Sequence, residues 1–405
     1  MPVGERCDDG PVIAAFRAGG HDVVSGLARR CIVCGGADPV AVFQTAPLPV
    51  DANRLYDRAD EALGALRAPI RLAGCQRCGH LFNAAYDDAL VDYAGDYENS
   101  QVFSPRFRGY LAGLAAELVA RYGLRGKPFV DIGGGYGDLA TMLLEAGAGS
   151  GVVVDPGARA GTAAERHPGL SFIRDVYGRA ATTLPAALLT SRHVLEHLAD
   201  PAALAGLLRE AVDRVGAGVY VEVPNGDYVI DATAIWELTY THVSYFTARS
   251  LDELFRRAGF GARELSTRFD GQFLAVLTGR AGAAPPPPPS LTIFERAASR
   301  KVLAWRARLA GLRASNARVA MWGAGAKTVT FLSMCDREGG VATIVDANPR
   351  KHGKYLPPAG LRIEPPEALA SLQPDVVLTM NPAYREEIAA ALREIAPRAH
   401  LMIAG

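Results

Sequence analysis

The chain has 405 residues with 43 basic and 43 acidic side chains, so no net field of one sign marks it for nucleic acid or an acidic membrane surface. That length exceeds one ordinary domain, and an apolar share of 49% is enough for two or three separate cores. No apolar run approaches the roughly 20 residues of a membrane-spanning helix, and no basic stretch followed by an apolar one opens the chain. The expectation is a soluble cytoplasmic protein with small-molecule partners and neither nucleic-acid nor membrane partners.

Residues 1 to about 28 read as a leader with one short helix, and Cys7 within it as a bystander. Two C-x-x-C pairs follow, Cys31 with Cys34 and Cys75 with Cys78, each ending in a glycine that suits a tight knuckle turn. Outside a small secreted framework such pairs point to metal rather than disulfides. Four thiolates make a closed tetrahedral zinc site, which is structural rather than catalytic. Binding of that strength holds together a segment too small for its own core. The alternative is four ordinary buried cysteines, and His80 is read as a polar neighbour of the knuckle.

Asp92 to Tyr110 mixes aromatics with Asn99, Ser100 and Gln101 and shows neither helical nor strand period. It reads either as a pocket wall or as a packed linker into a helix over Tyr110–Arg121. From Phe129 to Pro156 the pattern is strand, glycine turn, helix, strand and acid. Gly133, Gly135 and Gly137 stand at alternate positions after Asp131, where a tight turn brings backbone close to a ligand. Asp155 ends the next strand, where a carboxylate can accept both hydrogen bonds of a ribose diol. Three readings compete. A dinucleotide site prefers G-x-G-x-x-G, which this turn does not follow; a bare βαβ turn needs no ligand. The third is an S-adenosylmethionine (SAM) site, because Asp131 to Gly137 (D-x-G-x-G-x-G) resembles motif I of class I methyltransferases. That resemblance implies cofactor contacts from Asp131, Gly133, Gly135, Gly137, Asp155 and Pro156.

Phe172–Asp175 reads as a short strand whose acid, in a SAM fold, lies near adenine; the alternative is a surface acid. Ala187–His197 runs from strand into loop and presents Arg192, His193, Glu196 and His197 at a strand's carboxyl end, where open α/β sheets bind ligands. Gly218–Pro224 is another strand, with Asn225 starting the loop after it. Ile235–Phe246 is dense in proton-handling groups: Glu237, Tyr240, His242 and Tyr245. Histidine is the natural general base near neutral pH, although a histidine beside aromatics also serves structure. Ser250–Phe260 reads as a capped amphipathic helix and Gly271–Leu277 as part of a closing hairpin. Ala281–Pro289 contains five consecutive prolines and reads as a semi-rigid spacer at a boundary. After a helix over Leu291–Ser315, a second strand–glycine–helix unit runs through Gly323, Gly325 and Lys327. Strands ending at Asp346 and over Asp375–Thr379 follow. Its helix start can bind phosphate with help from Lys327, or the unit only packs against the core.

Taken in order, these features resemble the three-domain, zinc-containing, SAM-dependent sugar C-methyltransferases of natural-product deoxysugar pathways. The matching residues are Cys31, Cys34, Cys75 and Cys78; Asp131–Gly137; Glu222-Val223-Pro224; His242–Phe246; Gly323–Lys327; and Asp346 with Gly353–Pro357. The resemblance implies an α/β protein in three parts. These are an N-terminal zinc-binding module over 1–90, a Rossmann-like class I methyltransferase domain over 91–284, and a C-terminal Rossmann-like domain over 285–405. It implies SAM and Zn2+ as cofactors and a nucleotide-linked keto-deoxysugar as acceptor. It also implies His242 as general base, or part of its network, and Tyr97 beside the substrate; the residue reading above adds Tyr240 and Glu237 as its catalytic partners and Asn99, Ser100, Asn225, Tyr245 and Lys327 as substrate contacts. One residue departs from that pattern: the family carries Glu-His where this chain has Thr241-His242. Threonine cannot hold an imidazolium by charge. His242 then acts alone, or with charge from Glu237, or on an easier acceptor such as a hydroxyl or an amine. A zinc-stabilised SAM-binding scaffold without turnover, and a nucleotide-dependent enzyme built around Gly323, are the readings from other classes.

Overall fold

The computed structural model describes residues 30–91, 98–158 and 167–405. The leader with Cys7 and the expected substrate residue Tyr97 lie outside the described residues. Among the described residues, no helix is long and apolar enough to cross a membrane.

The N-terminal part carries short strands β1 (Val40–Gln44), β2 (Leu48–Pro49), β3 (Arg67–Ala68), β4 (Arg71–Gly74) and β5 (Leu81–Asn83). The middle part carries β6 (Pro128–Ile132), β7 (Ser150–Val154), β8 (Leu170–Ile173), β9 (Leu188–Arg192), β10 (Gly218–Pro224), β11 (Ser244–Tyr245), β12 (Arg263–Arg268) and β13 (Phe273–Thr278). Seven of these form one sheet in the order β12-β13-β10-β9-β6-β7-β8. β10, β9, β6, β7 and β8 run parallel, and the β12–β13 hairpin closes the edge antiparallel. Parallel strands are covered by helices on both faces and so read as continuous apolar runs. β6 fits that rule, with Phe129, Val130 and Ile132 each at most 3% exposed. Asp131 breaks it, being a carboxylate 2% exposed in the same run. Chain order reverses between β6 and β9, and such a reversal opens a crevice outside the carboxyl ends of the strands.

The C-terminal part repeats this plan with β14 (Val319–Trp322), β15 (Val341–Val345), β16 (Tyr355–Leu356), β17 (Leu361–Glu364), β18 (Val376–Thr379) and β19 (His400–Ile403). Their order is β16-β17-β15-β14-β18-β19, with the reversal between β14 and β18.

Two departures from the sequence pattern have local causes. Helix α1 spans Pro105–Tyr122 and starts a turn before the expected Tyr110. Ser104 accepts from the Phe107 amide as its N-cap, and Pro105 fills the first helical position, where its missing N–H costs nothing. The second departure concerns the expected module over 1–90. Its sheet, β1-β4-β5-β11, borrows a strand from residues 244–245, with Ser244 opposite Phe82 and Tyr245 opposite Leu81. The cysteine-bearing segment and the His242 stretch are therefore parts of one sheet. The C-terminal part is tied to the same stretch: Trp236 Nε1 donates to the Ala404 carbonyl at 2.7 Å, and Thr330 Oγ1 to the Leu238 carbonyl at 2.8 Å. The polyproline segment is also seated, since Pro288 packs so closely on Gly79 that a Cβ there would overlap it.

Candidate active site

A cavity of about 1370 Å³ opens at the carboxyl ends of both parallel sheets. Its floor on the middle domain is the turn between β6 and helix α2 (Asp138–Glu145). Gly133 and Gly135 take left-handed φ of 69° and 52°, and the Gly133 amide donates to the Val154 carbonyl at 2.8 Å. A Cβ on Gly133 would overlap Val194 and one on Gly134 would overlap the Asp131 carboxylate, so the turn is sealed against side chains from below. Asp155 accepts from the Gly135 amide at 2.8 Å and the Gly157 amide at 2.6 Å, which fixes its carboxylate at the cavity rim with lone pairs to spare. Asp131, under the turn, accepts from Thr190 Oγ1 at 2.6 Å, and burial pushes its carboxyl up to about 6. Asp138 accepts from Ser100 Oγ at 2.7 Å and is also raised by burial.

Behind this floor lies a buried ion pair. Arg192 Nη2 stands 2.6 Å from Glu222 Oε1, and the hydroxyls of Tyr220 and Tyr110 both donate to Glu222 Oε2. Burial alone would raise the Glu222 carboxyl. Arg192, His193 and Tyr110 outweigh it and hold that carboxyl far below the usual range. His193, at φ 54°, turns the chain after β9 and brings Glu196 and His197 to the wall. His197 Nδ1 bonds the Thr241 carbonyl at 3.0 Å, and its ring centre lies 4.9 Å from that of His242. Burial, then His197, pushes His242 down to about 3, so its imidazole is neutral, and its buried Nδ1 has no hydrogen-bond partner.

The structure gathers Asn99, Ser100, Asp131, Gly133, Gly135, Asp155, Pro156, Arg192, His193, Glu237, His242 and Lys327 around this cavity. It does not gather all the residues expected there. Tyr240 is fully buried on the far side of its loop, donating to the Ala85 carbonyl and accepting from the Asp87 amide, both at 3.0 Å. Tyr245 is 1% exposed and its hydroxyl donates to the Thr239 carbonyl at 2.9 Å; it supports the loop that carries His242. Asn225 caps the short helix Gly226–Asp231 and donates to the Gly271 carbonyl at 2.8 Å. Gly137 is the cap of α2 rather than a cavity residue. Asp175 accepts from the Val176 amide at 2.7 Å and faces solvent, while Val176 and Tyr177 line the cavity in its place. Glu237 lies on the cavity but pairs with Lys327 Nζ at 2.5 Å, so its charge is not given to His242. A residue's strand or loop was readable from the sequence; which way its side chain points was not.

Several groups at or beside the cavity carried no sequence signal. Glu98 accepts from Tyr136 Oη at 2.7 Å and Asn348 Nδ2 at 3.0 Å, joining the two Rossmann-like parts. The Arg350 guanidinium lies 4.0 Å from the centre of the Tyr136 ring. On the C-terminal side, Asp346 accepts from the Ala324 amide at 2.7 Å and the Asn348 amide at 2.8 Å, with Lys351 Nζ at 3.2 Å. This repeats the Asp155 arrangement across the cavity; the second strand–glycine–helix unit with its acid at Asp346 carried that repeat in the sequence, whereas the partners of the carboxylate did not.

The cysteines meet as their spacing predicts. Cys31 and Cys78 sulfurs are 3.7 Å apart, Cys34 and Cys75 sulfurs 3.6 Å, and all four residues are buried. A tetrahedral zinc with bonds of about 2.3 Å needs sulfurs roughly 3.8 Å apart, so the donor set fits that ion. The knuckle is wired to the His242 strand. Cys75 donates its amide to the His80 carbonyl at 2.8 Å, and His80 Nε2 lies 3.3 Å from Ser244 Oγ.

Residues 107–265 match a family model described as a methyltransferase domain, and residues 289–404 one described as the C-methyltransferase C-terminal domain. No curated protein matches the chain. Solved structures similar to it include the following three. The pyocyanin biosynthetic protein PhzM is 20% identical and covers 41% of this chain and 54% of its own, with TM-score 0.33. Magnesium protoporphyrin IX methyltransferase from Synechocystis PCC 6803 with bound SAH is 16% identical over 46% of this chain and 90% of its own, TM-score 0.33. Human N-acetylserotonin methyltransferase in complex with SAM is 20% identical over 44% and 57%, TM-score 0.31. The chain spans about half the length of the first such structures it matches, 54% and 55%. By these family models the middle of the chain is a methyltransferase domain, and the part after the polyproline segment is a C-methyltransferase C-terminal domain.

Proposed function

We propose that the protein transfers the methyl group of SAM to a carbon beside a carbonyl, in a small polar acceptor of the nucleotide-linked keto-deoxysugar class. One observation carries this reading: His242, whose buried Nδ1 has no hydrogen-bond partner, stands in the wall of the same cavity whose floor is the glycine turn and Asp155. The description of the C-terminal family model, a C-methyltransferase domain, supports carbon as the methylated atom.

The Gly133–Gly135 turn receives the amino-acid part of SAM, and Asp155 accepts from the ribose hydroxyls. The acceptor lies between them and the C-terminal side, where the Lys327 and Lys351 ammonium groups line the cavity and can meet a polar or charged group. Methyl transfer is an in-line displacement at carbon, so holding the two partners in line supplies much of the rate. Removing a proton from the acceptor carbon is the other demand; His242 is the imidazole placed to take it, and because burial weakens it as a base, a nearby negative charge must favour its protonated form. Cys31, Cys34, Cys75 and Cys78 would hold a zinc ion whose role is structural. The sheet it clamps includes Ser244–Tyr245 and so fixes where His242 stands.

The test is incubation of the protein with methyl-labelled SAM and a set of sugar nucleotides, with the label located by mass spectrometry. Label on a carbon next to the keto group supports the proposal. Label on oxygen or nitrogen moves the reaction to another methyltransferase class. SAM binding with no labelled product from any acceptor points to a scaffold.

A further inference from the structure

Thr241 leaves His242 without a carboxylate at its side in the sequence, and Glu237 is committed to Lys327 at 2.5 Å. The structure supplies a carboxylate from the turn that follows β9. We propose that Glu196, on that turn, is the positioning residue that holds His242 for proton removal and balances its charge afterwards. This rests on the reading of His242 as the base.

Glu196 is 1% exposed, and both of its carboxylate oxygens are buried with no hydrogen-bond partner. Its closest charged contact is His193 Nδ1 at 3.5 Å. A buried carboxylate left in this state costs several kcal/mol unless a proton-bearing neighbour compensates. Complementary groups stand beside it. One donor atom from each of Glu196, His197 and His242 lies within 4.8 Å of the other two, and His242 Nδ1 is itself buried and unpartnered. A Glu196 oxygen and a ring nitrogen of His242 thus lie within 4.8 Å of each other, with His193 Nδ1 at 3.5 Å from the same carboxylate. One water, or a small rotation of the Glu196 side chain, joins them.

Local structure explains how they meet. The left-handed His193 ends β9 abruptly and sends Leu195–His197 into a tight helical turn across the sheet edge. The His197 bond to the Thr241 carbonyl then locks that turn against the His242 loop. The groups facing His242 are therefore Glu196, the imidazoles of His197 and His193, and the Tyr245 ring at 5.8 Å. The two imidazoles disfavour a positive His242; Glu196 is the one facing group that favours it.

The step balances. The acceptor carbon's proton passes to His242, and the electron pair of that C–H bond forms the new C–CH3 bond. The S–CH3 pair stays on sulfur, which leaves as the neutral thioether, and the positive charge on imidazole is offset by Glu196 until solvent takes the proton. No oxidant, reductant or metal is needed.

The experiment isolates proton removal from methyl transfer. The full-length, zinc-loaded protein with bound S-adenosylhomocysteine is incubated in D2O with a nucleotide-linked keto-deoxysugar that has taken label from SAM. Loss of the acceptor's carbon-bound proton is followed by NMR. Wild type should exchange it. Glu196→Gln and Glu196→Ala should slow exchange at least tenfold with SAM affinity within twofold of wild type, Glu196→Asp should slow it less, and formate should restore part of the Ala variant's rate. A role in packing alone would show no rescue by formate and would overturn the proposal. So would wild-type exchange in Glu196→Gln. Metal analysis giving two equivalents for wild type and one for Glu196→Gln would overturn it in favour of a cation at Glu196, His197 and His242. His242→Ala is run in parallel. If it exchanges like wild type, the base assignment itself fails. If it is inactive while Glu196→Gln is unaffected, only the present inference fails.

Discussion

Gly134→Ala tests the cofactor turn where the sequence motif itself is silent, because Gly134 is the middle glycine that the D-x-G-x-G-x-G pattern leaves open. A Cβ there would overlap the Asp131 carboxylate and lie 2.9 Å from Val153 Cγ1 and 3.0 Å from Asp131 Cγ. Neither neighbour can yield: Val153 is fully buried, and Asp131 is 2% exposed and tied to Thr190 at 2.6 Å. The turn must lift instead, by something near 1 Å. In the free protein it can lift at modest cost, but bound SAM requires the original shape. The overpacking energy, about 1–3 kcal/mol, therefore appears as roughly a 5- to 150-fold loss of affinity. Gly113→Ala is the matched control. It sits exposed within α1 with no atom near its Cβ position, so it should raise stability by about 0.8–1 kcal/mol and leave SAM binding alone. Calorimetric titration with SAM and thermal melts read both. Wild-type affinity in Gly134→Ala would refute the idea that backbone, held down on Asp131, is what SAM touches.

The purified protein should contain one zinc per chain. Cys75→Ser, or chelation, should lower the melting temperature and speed hydrogen exchange at the Asn83 amide, which bonds the Val243 carbonyl at 2.9 Å beside His242. Unchanged exchange there would separate the metal from the His242 strand. Asp131 gives a pH signature. Its folded value, about 6, is raised above an unfolded value of about 4, so its contribution is fully present below pH about 4 and is lost as pH rises through about 6. Apo Asp131→Asn should therefore melt with less loss than wild type across that window; parallel pH dependences would contradict the assignment. Trp236→Phe removes the indole donor to the Ala404 carbonyl at 2.7 Å. It should cost about 1–3 kcal/mol in denaturant unfolding, because that carbonyl is left buried and unpaired.

The parallel sheets were legible because buried strands write themselves as short apolar runs bounded by glycine and acid, and Gly218–Pro224 follows that pattern end to end. The cysteine cluster was legible because ligand spacing is local. What stayed hidden was non-local or directional. Nothing in Ser244–Tyr245 announces that it pairs with Leu81–Phe82, since a two-residue strand has no period to detect. Tyr240 and His242 are two residues apart in a stretch rich in polar side chains. Turns there point one into the core and the other into the cavity, and composition cannot distinguish them. Glu237 was the plausible carboxylate by proximity in sequence, but Lys327, ninety residues on in chain position, claims it. Glu196 came into range only because β9 and β11 end near each other in space.

The central claim is that the Gly133–Gly135 turn and Asp155 together hold SAM. Isothermal titration of the zinc-loaded protein with SAM, wild type beside Asp155→Ala, tests it most directly. The expected result is one SAM bound per wild-type chain and no measurable binding by an Asp155→Ala protein that still melts cooperatively. Absence of SAM binding by wild type, or equal binding by both, would contradict it.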